Sequence, residues 1–292
     1  MLDKRYLTFY HLGRNLSYTQ TAQELFITQP AVSQQIKSLE AELQLLLVQR
    51  IHGRIQLTPE GQMLLTYLQL IITENKHFFA ALQRTGAPTQ LKLGCTLSLS
   101  RTLLPPLLQV LNEKYAQITV KLGNTQDNLA NLRRGQIDFS LIEGNFDPQE
   151  FDAYFLQNSE FIAVTGQRRL SHHAGLNIAA LRSETLLVRE PGSGSREILT
   201  SFLATQNHQL SEFHHQMELP DPETIIHLLQ TGVGFSFLYR DLVAKELAAQ
   251  TLWQLPLPDF HISHPINLVF PKNSFFKNEY ATYAQLLAPD SI

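Results

Sequence analysis

A small helical head, a long connecting helix and a mixed α/β body are what this sequence predicts, and three observations predict them. Residues 1 to 57 carry apolar side chains at helical spacing, broken by two cap-and-turn signals. Residues from Thr58 onward read as one long helix up to Gly86-Ala87-Pro88. From Gln90 strand-like and helix-like segments alternate, the pattern of βαβ units and a mostly parallel sheet.

Composition agrees with this division. The chain has 292 residues, 43% of them hydrophobic, with 23 Lys+Arg against 26 Asp+Glu and a formal net charge of −3. It is long enough for two domains and is neither a disordered tail, a collagen-like fibre nor a small disulfide scaffold. The single cysteine, Cys95, allows no internal disulfide, Cys-rich zinc site or iron–sulfur cluster within one chain, which suits a reducing cytoplasm. The longest stretch free of Asp, Glu, Lys and Arg, Thr224 to Tyr239, is short and interrupted by His227, Gln230, Gly232 and Gly234, so no membrane span is expected. The opening Met1-Leu2-Asp3-Lys4-Arg5-Tyr6 has no apolar signal core. Charge is unevenly shared: eight basic and six acidic residues up to position 90 leave +2, and the remaining fifteen and twenty leave −5.

In the head, Tyr6, Phe9 and Tyr10 form one apolar stripe. Ser17 is placed to cap a helix through Leu25, and Thr28 to cap another that begins Gln29-Pro30, with proline in the first turn where a helix tolerates it. The three residues Phe26-Ile27-Thr28 make the turn between them, and Ala22, Leu25, Ile27, Val32 and Ile36 supply the contacts of a tight helix-turn-helix. Gln29, Ser33, Gln34 and Lys37 stay outward near the N-terminal end of the second helix. Such groups hydrogen-bond base edges or phosphates, and the helix end adds backbone donors. A solvated face on a three-helix core has the same pattern.

Read whole, the segment is more specific. Phe9, Ser17-Tyr18-Thr19-Gln20-Thr21-Ala22-Gln23-Glu24-Leu25, Gln29-Pro30-Ala31-Val32-Ser33-Gln34-Gln35-Ile36-Lys37-Ser38-Leu39-Glu40, then Leu43, Leu47, Arg50 and Leu57-Thr58-Pro59-Glu60-Gly61 resemble the LysR-type transcriptional regulators. The resemblance implies a winged helix-turn-helix over 1–58 that binds promoter DNA, with a recognition helix from Gln29 to Glu42 and a wing from Arg50 to Thr58. The residues expected at DNA are Thr19, Gln20, Thr28, Gln29, Pro30, Ser33, Gln34, Lys37, Arg50 and Arg54. Three positions depart from the family: Gln44 and Val48 stand where Gly and Phe are usual, and Gly53 where the wing often carries Arg.

Residues 59–90 form the connecting helix, with Leu64, Leu68, Ile71, Asn75, Phe78 and Leu82 at the alternating four-and-three spacing of a coiled-coil seam. An amphipathic helix packed on its own body is the other reading of that spacing. The resemblance implies a homodimer through this helix, assembled further into a homotetramer, with RNA polymerase as a further partner and the cytoplasm as its place.

In the body, Leu91–Thr96, Thr119–Leu122, Asp138–Ile142, Phe161–Val164, Thr185–Val188, Phe235–Tyr239 and Ile266–Phe270 read as strands. Thr102–Tyr115, Asn128–Arg134, Ser195–Gln206, Glu223–Thr231 and Asn278–Leu287 read as helices. Residues 91–292 then form two α/β lobes, about 91–161 with 266–292 and about 162–265, joined by two crossing strands. This is similar to the periplasmic-binding-protein-like effector domain of the same family. Ligands in such sheets bind beyond the carboxyl ends of the strands, which marks Thr96, Ser98 and Ser100, then Thr125, then Glu143, and the segment Arg189-Glu190-Pro191-Gly192-Ser193-Gly194-Ser195-Arg196, where small residues let backbone amides approach a ligand and Arg196 adds a cation. Each segment by itself also reads as a turn with an ordinary helix cap. Thr96 and Ser98 match positions that commonly contact the inducer, and the Thr-x-Ser pair is similar to that of regulators of sulfur assimilation. A small anion or an amino-acid-related carboxylate is the expected effector, and Glu143 suits a ligand that also carries an ammonium group.

Other classes fare worse. His172-His173 and His214-His215 are neighbours without a third ligand at metal spacing, no P-loop, dinucleotide fingerprint or nucleophile elbow occurs, and no cofactor is expected. A solute-binding protein or an enzyme on a two-lobed fold is the alternative, but neither has a use for a helix-turn-helix.

Overall fold

The computed structural model describes residues 3–82, 90–173 and 175–288. It divides into two compact units, the first holding the described residues up to 82 together with 133–135 and the second the remaining described residues. The expected helix stop at Gly86-Ala87-Pro88 and the Leu82 side chain lie outside the described residues.

The first unit contains α1 (Lys4–Asn15), α2 (Tyr18–Glu24), α3 (Gln29–Leu43), β1 (Val48–Ile51), β2 (Arg54–Leu57) and α4 (Pro59–Leu82). The caps sit where the sequence placed them: Ser17 Oγ accepts from the Gln20 amide at 3.3 Å and Thr28 Oγ1 from the Ala31 amide at 3.4 Å. Caps of this kind contribute about 1 kcal/mol each. Phe9 and Leu12 of α1, Ala22 of α2, and Val32, Ile36 and Leu39 of α3 close one core, with Ile27 packed on it from the turn and Leu25 half-buried. Thr8 Oγ1 donates to Gln35 Oε1 at 2.6 Å and turns that glutamine towards α1.

Two of the family departures acquire physical meaning here. Gln44 is the C-cap of α3 at φ +55, a left-handed conformation that glycine adopts freely and glutamine does not. His52 and Gly53, at φ +49 and +78, are the two central residues of the β1–β2 hairpin, the sign pattern of a type I′ turn. Gly53 is therefore the residue the turn prefers, and the cation lost there is exchanged for turn geometry. Two side chains, the half-buried Glu40 and the buried Thr58, brace this end of the unit. Glu40 Oε1 accepts from the amides of Leu47 and Val48 at 2.8 and 3.1 Å, and Thr58 Oγ1 donates to the Leu46 carbonyl while accepting from the Gly61 amide at 3.0 Å.

The connecting helix forms, but its expected seam is corrected. Leu68 is 1% exposed within a single chain, and Leu64 packs beside it with Leu65 on the core of the head. The first half of the spacing is thus spent on the helix's own unit. Among the described residues of α4, the large apolar groups left in water are Met63, Tyr67 and Phe79.

The second unit runs β3 (Gln90–Thr96), α5 (Leu97–Ser100), α6 (Leu104–Lys114), β4 (Gln117–Gly123), α7 (Thr125–Arg133), β5 (Phe139–Ile142), β6 (Phe151–Thr165), α8 (Arg168–Ser171), β7 (Thr185–Val188), α9 (Gly194–Thr205), β8 (His215–Glu218), α10 (Pro222–Gln230), β9 (Phe235–Tyr239), α11 (Ala244–Ala248), β10 (Trp253–Gln254), β11 (Ile262–Pro271) and α12 (Lys277–Leu287). The hydrogen-bonded order is β4-β3-β5-β11-β6-β9-β7-β8, with β10 on β6. Within each lobe the pairing is parallel: β3 lies between β4 and β5, and β7 between β8 and β9. The expectation of a mostly parallel sheet is qualified at the centre, where β11 and β6 pair antiparallel over their length and join antiparallel to β5 and β9. These are the two crossing strands. The expected helix from Thr102 begins at Leu104 instead, after a separate short turn of helix at Leu97–Ser100.

Candidate functional site

In the first unit Thr19, Gln20, Thr28, Gln29, Pro30, Gln34 and Lys37 are exposed and Ser33 is half-buried. On α3 the spacing of residues 29, 30, 33, 34 and 37 makes a single polar stripe running from the helix N-terminus, where backbone donors and the dipole favour an anion. Arg50 and Arg54 are exposed on the hairpin. Arg50 pairs with Ile55 and Arg54 with Ile51, so alternation puts the two cations on opposite faces of the ribbon. They can reach two different phosphates but not share one.

In the second unit the ends of β3, β5, β7 and β9 come together. Thr96 closes β3, and its hydroxyl donates to Glu143 Oε2 just beyond β5. Ser98 stands between charges: its Oγ accepts from Arg189 Nη1 at 3.3 Å, and it hydrogen-bonds the Glu143 carboxylate. Thr96, Ser98, Glu143 and Arg189 are all at most 3% exposed. Burial drives the Glu143 carboxyl above its ordinary range, opposed by the hydroxyls of Thr96 and Ser98 and the charge of Arg189. The Tyr239 hydroxyl at the end of β9 is pushed well above its ordinary value by burial and by the Glu143 charge.

The loop before α9 meets the opposite lobe directly. The Gln126 amide donates to the Gly192 carbonyl at 3.2 Å, and a Cβ on Gly194 would stand 2.8 Å from Gly144 Cα and 3.1 Å from Thr125 Oγ1. Only glycine fits so close an approach. Around this contact Thr125 Oγ1, Ser193 Oγ and the Tyr239 hydroxyl are buried without a hydrogen-bond partner among the described residues. Buried polar atoms are ordinarily paired, so these three leave hydrogen-bonding capacity unspent among the described residues.

Comparison with known proteins decides the family. Residues 4–62 match the bacterial regulatory helix-turn-helix proteins of the lysR family, and residues 84–288 match the LysR substrate binding domain. The chain belongs to the LysR family of transcriptional regulators. These are DNA-binding proteins with an effector-binding domain, not enzymes. The chain is 28% identical over 268 residues to the HTH-type transcriptional regulator CysL of Bacillus subtilis, covering 90% of this chain and 88% of that one. It is 31% identical over 245 residues to the HTH-type transcriptional regulator CfxR of Cupriavidus necator, covering 82% and 76%. Among solved structures, ArgP from Mycobacterium tuberculosis matches at 18% identity with a TM-score of 0.78 over 99% of this chain and 98% of that one. Full-length LysG from Corynebacterium glutamicum with bound effector Arg matches at 18% identity and a TM-score of 0.75, covering 98% of each chain. At that identity the likeness concerns the fold.

Within this LysR-family chain the expected cleft residues separate into two groups. Thr96, Ser98, Thr125, Glu143, Gly192, Ser193 and Gly194 are brought together, with Ser195 buried in the first turn of α9. Ser100 spends its hydroxyl on the Leu97 carbonyl at 2.8 Å, one turn back on its own short helix. Arg196 is a correction: Nη1 donates to the Arg189 carbonyl at 2.7 Å and to Glu218 Oε2 at 2.6 Å, so its charge is directed to β8 and not to the ligand groups. The buried cation is Arg189, the first residue of the same segment, in the role expected of Arg196, and Tyr239 is a further cleft residue at the end of a strand the sequence predicts. A signal existed for both, since each stands at or just past the carboxyl end of a strand.

No described helix is long and apolar enough to cross a membrane. Among the described residues no group of three His, Cys, Asp or Glu side chains is placed to hold a metal. Cys95 is buried beneath the cleft, its thiol donating to the Thr96 carbonyl at 3.3 Å and raised by burial and by the Glu143 charge.

Proposed function

We propose that this chain is a cytoplasmic, effector-responsive regulator that reads promoter DNA with α3 and senses a small molecule at the cleft lined by Thr96, Ser98, Thr125, Glu143, Arg189 and Ser193. The observation that carries the reading is the pairing of two sites in one chain: a capped helix with its polar stripe in water, and a buried cleft in which the hydroxyls of Thr125, Ser193 and Tyr239 have no partner among the described residues. Ser33 and Gln34 read base edges, and Arg50 and Arg54 meet phosphates on either side of the wing. The effector is a small anion or an amino-acid-related carboxylate. It acts by binding one arrangement of the lobes better than another, since a ligand with equal affinity for both shifts nothing.

A single recognition helix covers only a few bases, so we infer a homodimer, assembled further into a homotetramer, that sets two heads on one pseudo-palindrome. The exposed Met63, Tyr67 and Phe79 of α4 suit the pairing of subunits. RNA polymerase is the partner through which a promoter-bound regulator would act. Gel-shift and footprinting on the fragment upstream of its own gene test the DNA reading. Salt-sensitive, sequence-selective binding is expected, and joint replacement of Ser33 and Gln34 by Ala should abolish the selectivity with the oligomeric state unchanged. Full selectivity in that double variant would remove α3 from its assigned role.

A further inference from the structure

The charges in the cleft do not balance. Arg189 is 3% exposed, and its guanidinium already holds Glu190 through two bonds, Nε to Oε2 at 2.8 Å and Nη2 to Oε1 at 3.1 Å. What remains of it, Nη1, reaches the neutral Ser98. Glu143 forms no ion pair among the described residues: hydroxyls and its own backbone amide meet its carboxylate, and Arg189 acts on it only through space. When Glu143 is ionised, two carboxylates and one guanidinium leave one negative charge in excess, at the most buried of the three, and burial opposes that ionisation until a cation arrives. A carboxylate withdrawn from water is costly until a cation joins it.

The orphan polar atoms point the same way. The Tyr239 hydroxyl, close enough to feel the Glu143 charge, offers a free acceptor beside it. An ammonium group has three donors and no acceptor, and Glu143 with Tyr239 can receive them. Thr125 Oγ1 and Ser193 Oγ, also unpartnered, lie at the first turn of α9, a twelve-residue helix whose N-cap side chain makes no capping bond. That end suits a carboxylate. Gly194 stands against Gly144, the residue after Glu143, so the two ends are neighbours.

We propose that Glu143 is the specificity-determining residue of the cleft and selects a compact effector carrying an ammonium group, an amino acid in preference to a simple acid or an inorganic anion. This rests on the reading of the cleft as the effector site and narrows it. A bare anion would bring a second negative charge to Glu143, whereas an amino acid supplies the missing cation and leaves its carboxylate for Ser193 and Thr125.

The test is a thermal-shift and titration-calorimetry series on the full-length protein with the standard L-amino acids, the 2-hydroxy acids of matching side chain, primary amines, sulfate and phosphate. At least one amino acid is expected to raise the melting midpoint, its 2-hydroxy counterpart at equal concentration is not, and Glu143→Gln should weaken that amino acid by about tenfold or more. Tyr239→Phe should weaken it less. Failure of every ammonium-bearing probe, equal binding of amino acid and hydroxy acid, or an unaltered Kd in Glu143→Gln would each overturn the proposal. Where Glu143→Gln does not fold, by far-UV circular dichroism, the comparison of amino and hydroxy acids on the unaltered protein decides alone. An anion whose shift disappears in Thr125→Val or Ser193→Ala would overturn the ammonium but keep the cleft. A shift that survives both of those and Glu143→Gln would overturn the cleft reading as well.

Discussion

Replacing Gly194 by Ala should wedge the two lobes apart without unfolding either. The added Cβ would stand 2.8 Å from Gly144 Cα, 3.0 Å from its amide nitrogen and 3.1 Å from Thr125 Oγ1. Two of those atoms are backbone, which cannot rotate aside. Forcing one extra carbon into a packed contact costs about 1–3 kcal/mol. Gly194 is the first residue of α9, and alanine is the better helix former by up to about 1 kcal/mol, but that gain is present whether the lobes are together or apart. The strain therefore falls on their association, and the open arrangement gains roughly 5- to 150-fold in population. The Gln126 amide reports it directly, because its hydrogen bond to the Gly192 carbonyl, at 3.2 Å, crosses the cleft. Hydrogen exchange at Gln126 should accelerate by that factor with the melting midpoint nearly unchanged. Unaltered exchange at Gln126, with the loss appearing instead as a lower melting midpoint, would refute the assignment of this contact to lobe closure.

Gln44→Gly should raise the stability of the first unit by about 1 kcal/mol, since it relieves a non-glycine residue of its left-handed conformation at the α3 C-cap; urea denaturation should show a later midpoint, and an earlier one would mean that the Gln44 side chain holds contacts of its own. Arg50→Gln and Arg54→Gln should each reduce the salt slope of DNA binding by about one, as expected of cations that meet separate phosphates; an unchanged slope would remove that residue from the interface. Glu143 makes a signed contribution to stability. Burial raises its carboxyl above the ordinary 4.5, so the folded protein holds the proton more tightly than the unfolded chain. Its contribution is most favourable below that ordinary value and declines as pH rises through it towards the raised one. The melting midpoint of Glu143→Gln should gain on that of the unaltered protein across this window, a difference in which the depressed carboxyls Asp221 and Glu279, whose contributions run in the opposite sense, cancel. A difference that shrinks as pH rises would show that Glu143 is stabilised as its anion.

Where one residue type decides a local geometry, the sequence was enough. Ser17 and Thr28 cap α2 and α3 because a hydroxyl in extended backbone is what the orphan amides of a helix need, and this follows from composition without tertiary contacts. Thr185–Val188 and Phe235–Tyr239 were legible for a related reason: β7 and β9 are covered on both faces and read as plain apolar runs. The crossing strand β6 was not. Only Phe161–Val164 announced itself, because the preceding residues from Phe151 pass between environments and carry Asp152, Gln157, Asn158 and Glu160 at exposed or half-buried positions. In β8 all four residues are exposed, so His215–Glu218 has no buried face to set a period. The seam of α4 was legible only in part: its spacing was real, but spacing alone does not say whether Leu64 and Leu68 meet another subunit or the core of their own unit, and they meet the latter.

The exchange of Arg196 for Arg189 shows what the sequence could not supply at the cleft. Both arginines lie within one eight-residue segment, each followed by a glutamate, and charge alone ranks them equally. Their difference comes from where each leaves the backbone. Arg189 follows β7 immediately and points inward beyond the sheet, where Glu190, next in sequence, neutralises it and Ser98 receives its remaining arm. Arg196 stands in the first turn of α9 and folds back to bind the Arg189 carbonyl together with Glu218 at the end of β8. That pairing depends on β8, the strand the sequence least reveals. Arg196 thus ties the backbone of Arg189 to the edge of its lobe, and the side chain that enters the cleft is positioned by the one that stays out of it. The same adjacency of Arg189 and Glu190 is what leaves Glu143 without a cation, so the charge selection assigned to the cleft originates in a neighbouring pair of residues on the opposite lobe.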